Sequence, residues 1–169
     1  QEPERVVKMF MKKEAYGEVK DPRPISTING VDKREYSRYI YVIADIVKEQ
    51  DWYAFGKSPA DIAQRVVDLL ETASSAVNTD FSRFDGRVSE LLRILERKVL
   101  VRGFHSNYTH EITELHNSQF NQSAFGRFGT RYDTGYARAS GSPETAAFNS
   151  IANAFVAYLT FRMTRIGGA

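Results

Sequence analysis

The sequence predicts an α+β fold, and three observations lead there. Apolar residues recur at steps of three and four in several separate stretches, which is the mark of amphipathic helices. Two Ser-Pro pairs, Ser58-Pro59 and Ser142-Pro143, supply the cap and first-turn chemistry of helix starts. Before and between these stretches lie short segments of strand and turn type, broken by Pro and Gly.

The elements follow in order. Residues 6–28 are basic and interrupted by Pro22 and Pro24, which fix φ and lack a donor, so this stretch reads as strand and loop. Residues 34–47 place Tyr36, Tyr39, Ile40, Ile43, Ile46 and Val47 on one helical face. Ser58 caps a second helix, Pro59 fits its first position, and Asp61 suits the positive end of its dipole. Its core-facing stripe is expected to be Ile62, Val66, Leu69, Leu70 and Ala73, with Ser74-Ser75 as the stop. Residues 76–81 read as a short strand and 83–86 as the turn after it. Val88, Leu91, Leu92, Leu95 and Val99 form the next helical stripe, and residues 109–122 a more polar helix. Residues 125–139 predict a β-hairpin turning at Asp133-Thr134-Gly135. The last helix opens at Ser142-Pro143-Glu144, runs to about Arg162, is apolar on most sides and is expected to be buried.

Composition narrows the function classes. Hydrophobic residues are 42% and charged residues 26%, values of a globular chain. Cysteine is absent, which excludes disulfides and Cys-ligated zinc or iron–sulfur centres. A net charge of +2 over 169 residues is no polyanion signature, so a nucleic-acid partner would need local clusters of basic residues. The longest apolar run, residues 151–161, carries Asn153 and is too short to cross a bilayer; no secretory signal is visible. The first residue is Gln1 and the last are Gly167-Gly168-Ala169, and the chain is expected to be a fragment or a processed product.

Three features can carry chemistry. Asp80-Phe81-Ser82-Arg83-Phe84-Asp85 puts two carboxylates around a strand end and its turn. Such hard oxygen ligands suit Mg²⁺, while strand termination by Asp80 and helix capping by Asp85 is the plainer alternative. Ser140-Gly141 leads into a helix on which Thr145, Asn149 and Asn153 share a face. Buried polar groups need partners, and those of Asn149 are either neighbouring protein or a ligand. Lys12, Lys13, Lys20 and Arg23 form a basic loop mixed with acids, either a solvated surface or a phosphate contact. His105, His110 and His116 have no metal-ligand spacing with Glu111 and Glu114 on one helical face. No Walker, dinucleotide or Ser-His-Asp pattern is legible; Gly126-Arg127-Phe128-Gly129 is none of these.

Taken together and in this order, the three features resemble the RNA-dependent RNA polymerases of positive-strand RNA viruses, in the nodavirus and tombusvirus-like group. Residues 80–89 resemble that family's motif A, with two aspartates separated by four residues. Residues 140–149 resemble motif B: Ser-Gly, Thr four after the Gly, and Asn four later. Lys12-Lys13-Glu14 with Lys20-Asp21-Pro22-Arg23-Pro24-Ile25 resembles the basic strand of motif F. The family's Gly-Asp-Asp of motif C has no counterpart, since no Asp-Asp pair occurs in the chain, and Ser150 stands where members usually carry Thr.

The resemblance implies a partial right-hand polymerase of fingers and palm. Residues 1–75 would be a fingers segment with motif F and 76–90 the palm motif A. Residues 91–139 would be a fingers insertion and 140–169 the palm motif B helix. It implies template-directed nucleotidyl transfer from ribonucleoside triphosphates with Mg²⁺ or Mn²⁺. Asp80 would be the catalytic metal ligand, aided by the Phe81 carbonyl, with the remaining ligands outside this chain. Asp85 and Asn149 would hold the ribose 2′-hydroxyl, supported by Thr145, with Ser140 and Gly141 as a mobile loop. Arg23, Lys20 and Lys13 would bind the triphosphate. Partners would be RNA template and product, and the rest of the parent polymerase. The site of action would be the host cytoplasm, at membrane-associated replication complexes reached through regions outside this chain. The fragment alone would be inactive. A non-catalytic RNA-binding module, with Phe128, Arg131, Tyr132 and Tyr136 stacking on bases, and a reverse-transcriptase-like palm are the alternatives.

Overall fold

The computed structural model describes residues 4–164, so the terminal Gly167-Gly168-Ala169 and the end of the 140–169 segment lie outside the described residues. Its content is mixed, with four strands in one sheet and five α-helices. Strands β1 (Val7–Met11) and β2 (Pro24–Thr27) pair antiparallel; Pro24 opens β2 opposite Met11, and the Lys12 amide donates to the Arg23 carbonyl at 2.9 Å. Strands β3 (Ser123–Gly126) and β4 (Arg131–Asp133) form a hairpin, and β3 runs parallel to β1, giving the order β2-β1-β3-β4. Val7, Ile28, Ala124 and Ala139 make a small core under this sheet.

The main core is helical. Helix α1 (Gly30–Lys48) is capped by Asn29, whose side chain accepts from the Val31 and Asp32 amides. Its Tyr36, Tyr39, Ile40, Ile43 and Val47 are buried, as the period predicts, whereas Ile46 is exposed. They pack with Leu100 of α3 (Glu90–Gly103), Ile112 and Leu115 of α4 (Thr109–Asn117), and Phe148 of α5 (Thr145–Thr164). Tyr39 meets Phe104 edge to face at 5.1 Å.

Five expectations are corrected. Residues 76–81 form no strand and are exposed. A strand needs a neighbour to bond its N–H and C=O groups, and no strand among the described residues lies beside them. Helix α2 (Pro59–Thr72) has its full capping box between Ser58 and Asp61, yet none of its residues is buried. Its stripe of Ile62, Val66, Leu69 and Leu70 stays exposed, and no element packs extensively on it among the described residues, so cap chemistry set this helix while packing did not. In α3 the fully buried residues are Arg93, Glu96 and Leu100; of the expected stripe, Val88 is buried just before the helix, Leu92, Leu95 and Val99 are half-buried, with Val99 packed on the core, and Leu91 is exposed. The hairpin turns at residues 127–130 through Gly129 (φ +83°), and the Asp133-Thr134-Gly135 turn instead ends β4. There the Asp133 carboxylate accepts from the Gly135 amide at 2.8 Å. Helix α5 buries only Ala147, Phe148 and Ala152, and its last turns carry exposed Tyr158, Phe161 and Met163, because nothing among the described residues packs on that end.

Candidate functional site

A cleft of about 800 Å³ opens where residues 21–26, the turn 83–86, the loop before α5 and the first turns of α5 converge. Arg23, Ser26, Asp85, Ser140 and Asn149 line it. Arg83 sits in the left-handed region (φ +54°), and the 3₁₀ turn Phe84–Arg87 that follows brings Asp85 to the wall. Asp85 does not cap α3, whose N-cap position is Ser89. Its carboxylate Oδ1 instead accepts from Nδ2 of Asn149 at 2.8 Å, across 64 residues of sequence. The two residues that were to share one small group are therefore in direct contact, both half-buried at the cleft.

The Ser140-Gly141 loop closes the free edge of β2. The Ser26 amide donates to Ser140 Oγ at 3.2 Å, and the Gly141 amide donates to the Ser26 carbonyl at 2.8 Å. A Cβ on residue 141 would stand 2.9 Å from that carbonyl and 2.8 Å from Thr27 Cγ2, so only glycine allows the approach. Thr145 Oγ1 donates to the carbonyl of Ser142 at 2.9 Å and also lies near those of Ala139 and Ser140, bracing the loop from below. Gly141→Ala is expected to destabilise this contact by about 1–3 kcal/mol, the usual cost of overpacking. Faster hydrogen exchange in peptides covering 24–27 and 139–142 would report it; unchanged exchange would mean that the loop does not rest on β2 in solution.

Of the basic residues expected at phosphate, Arg23 lines the cleft. Its guanidinium lies 3.5 Å from Glu14, whose carboxyl is held below its usual range by hydrogen bonds from Lys12 and Tyr16 and by the charges of Lys12 and Arg23. Lys20 lies 3.9 Å from Glu18, and both Lys20 and Lys13 are exposed outside the cleft lining. Two other arginines, Arg83 and Arg138, line the cleft and were not singled out by sequence.

Asp80 and Phe81 line a neighbouring shallow pocket of about 270 Å³ with Ser150 and Asn153; Phe84 and Asn149 border both cavities. Asp80 is exposed and makes no hydrogen bond or ion pair among the described residues. A free carboxylate beside neutral oxygen groups is a donor set that fits a hard cation such as Mg²⁺, which takes one or two carboxylates and completes its shell with water and phosphate.

Behind the cleft lies a buried ionic network that the sequence reading missed. Arg93 Nη1 donates to Glu144 Oε1 at 2.6 Å and to Glu96 Oε2 at 2.9 Å. Arg138 donates to Glu144 Oε1 at 2.7 Å, to Glu96 Oε1 at 2.5 Å and, through Nε, to Asn149 Oδ1 at 2.6 Å. The Tyr36 hydroxyl donates to Glu144 Oε2 at 2.8 Å, and His116 Nε2 meets Glu96 Oε2 at 3.1 Å. Burial pushes the Glu96 carboxyl up, but the His116 hydrogen bond and the charges of Arg138 and Arg93 outweigh it and hold it at about 2. Burial against the Glu144 carboxylate drives the Tyr36 hydroxyl well above its usual range. Glu96, His116 and Glu144 are close enough to hold a metal ion. The two guanidinium groups already neutralise the two carboxylates there, so a cation would have to displace them. One signal in the sequence pointed here: Arg93 and Glu96 stand on the same helical face as Leu100.

The aromatic residues considered for base stacking divide. Phe128 stands exposed at the hairpin tip and Arg131 lies 5.2 Å over Phe125. Tyr132 bonds Ser26 through its hydroxyl, and Tyr136 packs on Phe120 at 5.7 Å.

No protein-family model matches the chain, and no solved structure matches it. Curated relatives do. The chain is 38% identical over 160 residues to the RNA-directed RNA polymerase of greasy grouper nervous necrosis virus, covering 94% of this chain and 16% of that protein. It is 33% identical over 158 residues to that of Pariacoto virus, covering 92% of this chain and 16% of the relative. It is 34% identical over 170 residues to that of black beetle virus, covering 95% and 17%. The chain thus spans about one sixth of the length of the curated relatives it matches.

Proposed function

We propose, from the premise that this chain is a segment of a nodavirus-like viral RNA-directed RNA polymerase, that its cleft holds the incoming ribonucleoside triphosphate during template-directed nucleotide addition. The observation that carries this reading is the Asp85–Asn149 hydrogen bond at the wall of a cleft that also contains Arg23 and Ser140. Asp85 offers acceptors and Asn149 a donor, the complement of a sugar hydroxyl. Arg23, stiffened between Pro22 and Pro24, presents a guanidinium fork to triphosphate oxygens, with Lys20 and Lys13 adding charge from outside the cleft. Ser140 and Gly141, held on β2 at rest, form the loop that adjusts against the template–nucleotide pair.

Asp80, with the Phe81 carbonyl, is the site for Mg²⁺ or Mn²⁺, next to the sugar pair. Such ions, when bound in pairs, stabilise the charge on attacking and leaving oxygens. The other ligands would come from the rest of the parent chain, so in our reading the segment alone does not turn over. In the same reading residues 76–90 and 140–169 belong to the palm and 1–75 and 91–139 to the fingers. RNA template and product are the partners, and the parent enzyme works at membrane-associated complexes in the host cytoplasm.

The test is sugar choice in the parent enzyme. A deoxyribose leaves the pair without its hydroxyl, at a cost of about 1–3 kcal/mol. Asn149→Ala and Asp85→Ala are each expected to lower the kcat/KM preference for ribonucleotides over matched deoxyribonucleotides by about tenfold or more. The double variant should lose less than the product of the two, because both act on one group. Full preference in both single variants would remove Asp85 and Asn149 from the sugar site.

A further inference from the structure

We propose that Arg138 is a positioning residue that sets the ribose preference by fixing which way the Asn149 amide points. This rests on the sugar reading of Asp85 and Asn149 and extends it to a residue that touches no nucleotide. The Arg138 side chain is fully buried and uses all three guanidinium nitrogens. Nη1 and Nη2 are anchored on Glu144 and Glu96, which leaves Nε aimed at Asn149 Oδ1, 2.6 Å away. The backbone amide of the same residue donates to the Asp85 carbonyl at 2.9 Å, so Arg138 holds both members of the pair.

The consequence is an orientation that hydrogen-bond chemistry decides. A guanidinium only donates, and an ionised carboxylate only accepts. Between them, the Asn149 amide has a single satisfied arrangement: oxygen toward Arg138, nitrogen toward Asp85. One N–H is spent on Asp85 Oδ1, and the second is left for a ligand. Asp85 Oδ2 has no protein partner among the described residues and is left as an acceptor. The cleft therefore presents a donor and an acceptor side by side, which is what a hydroxyl needs to accept one hydrogen bond and donate another. With the amide reversed, two acceptors would face each other, and the N–H left for a hydroxyl would be lost.

The parent polymerase tests this with wild type, Arg138→Lys, Asn149→Ala and the double variant, using matched ribo- and deoxynucleoside triphosphates. Lysine keeps the buried charge but has one point donor and cannot serve Glu96, Glu144 and Asn149 together. Arg138→Lys is expected to lower the ribose preference by about tenfold, and to lower it no further once Asn149 is already Ala. A general folding defect would reduce kcat for both sugars and leave their ratio in place. Unchanged preference in Arg138→Lys, or losses that multiply in the double variant, would overturn the proposal while leaving the sugar reading intact. Unchanged preference in Asn149→Ala would overturn both. Asn149→Asp provides a test that does not depend on the Arg138 variants folding. It keeps the oxygen that Arg138 binds and removes the N–H, so it should lose the preference as fully as Asn149→Ala. A retained preference there would overturn the assigned orientation.

Discussion

Asp80→Asn in the parent polymerase is expected to abolish nucleotide addition and to leave RNA binding in place. The substitution keeps the size of the side chain and removes its charge. Asp80 does not end a strand, so its direction is not set by a sheet. It is instead an exposed carboxylate without a protein partner among the described residues, in a pocket that borders Asn149. A carboxylate tied up in an ion pair could serve a cation only by giving up that pair; Asp80 has no such cost. A bound divalent ion supplies several kcal/mol of charge stabilisation in phosphoryl transfer, and about 4 kcal/mol corresponds to roughly 10³-fold in rate. Primer extension in Mg²⁺, with filter binding of the same template, separates the two effects. Extension near the wild-type rate would take Asp80 out of the metal site, and the nearby neutral oxygens could not replace its charge.

How far the sequence could lead differs from element to element. Local chemistry was legible: Ser58 caps α2 as expected, with Asp61 completing a capping box, and the period of Tyr36, Tyr39, Ile40, Ile43 and Val47 gives the buried face of α1. Elements that depend on a partner were not. Residues 76–81 have strand-type chemistry but no neighbouring strand, and the apolar stripe of α2 has no facing surface among the described residues. Propensity without pairing leaves such segments open to solvent. The α3 stripe is buried only in part, for another reason. A hydrophobic pattern assumes that charge faces water, whereas Arg93 and Glu96 turn inward because each finds partners there.

The site divided along the same line. The Asp85–Asn149 meeting was accessible from spacing and resemblance, since both stand at fixed places in recognisable motifs. The guanidinium that orients one of them was not. Arg138 lies two residues before Ser140 with nothing around it in sequence to show that Glu96, 42 residues away, is its partner. Ion pairs between residues this far apart in sequence are set by the fold and leave no local period.

Glu144→Ala is the second substitution with a large expected effect, here on stability. Glu144 accepts from both guanidinium groups and from the Tyr36 hydroxyl in a place without solvent. Two arginines and two glutamates sum to zero charge. Removing Glu144 leaves one positive charge unbalanced and orphans a phenol. Breaking a buried pair in this way costs about 3–5 kcal/mol, a large share of the roughly 5–15 kcal/mol that holds a domain together. Hydrogen exchange of peptides covering Leu100 and Phe148, both fully buried beside the network, would rise by about 10² to 10⁴-fold if the local unit opens by that amount. Glu144→Gln keeps the shape and one acceptor, and should fall between wild type and Ala. The same network has an acid limit. The Glu96 carboxyl is held at about 2 in the folded protein against an ordinary 4.5, so the stability it contributes is fully present above pH 4.5 and is lost as pH falls toward 2. Exchange corrected for its intrinsic rate should therefore accelerate in that window in the wild type. If Glu144→Ala exchanges like wild type at neutral pH, the carboxylate is not the centre of a closed network, and the arginines must find their counter-charge elsewhere.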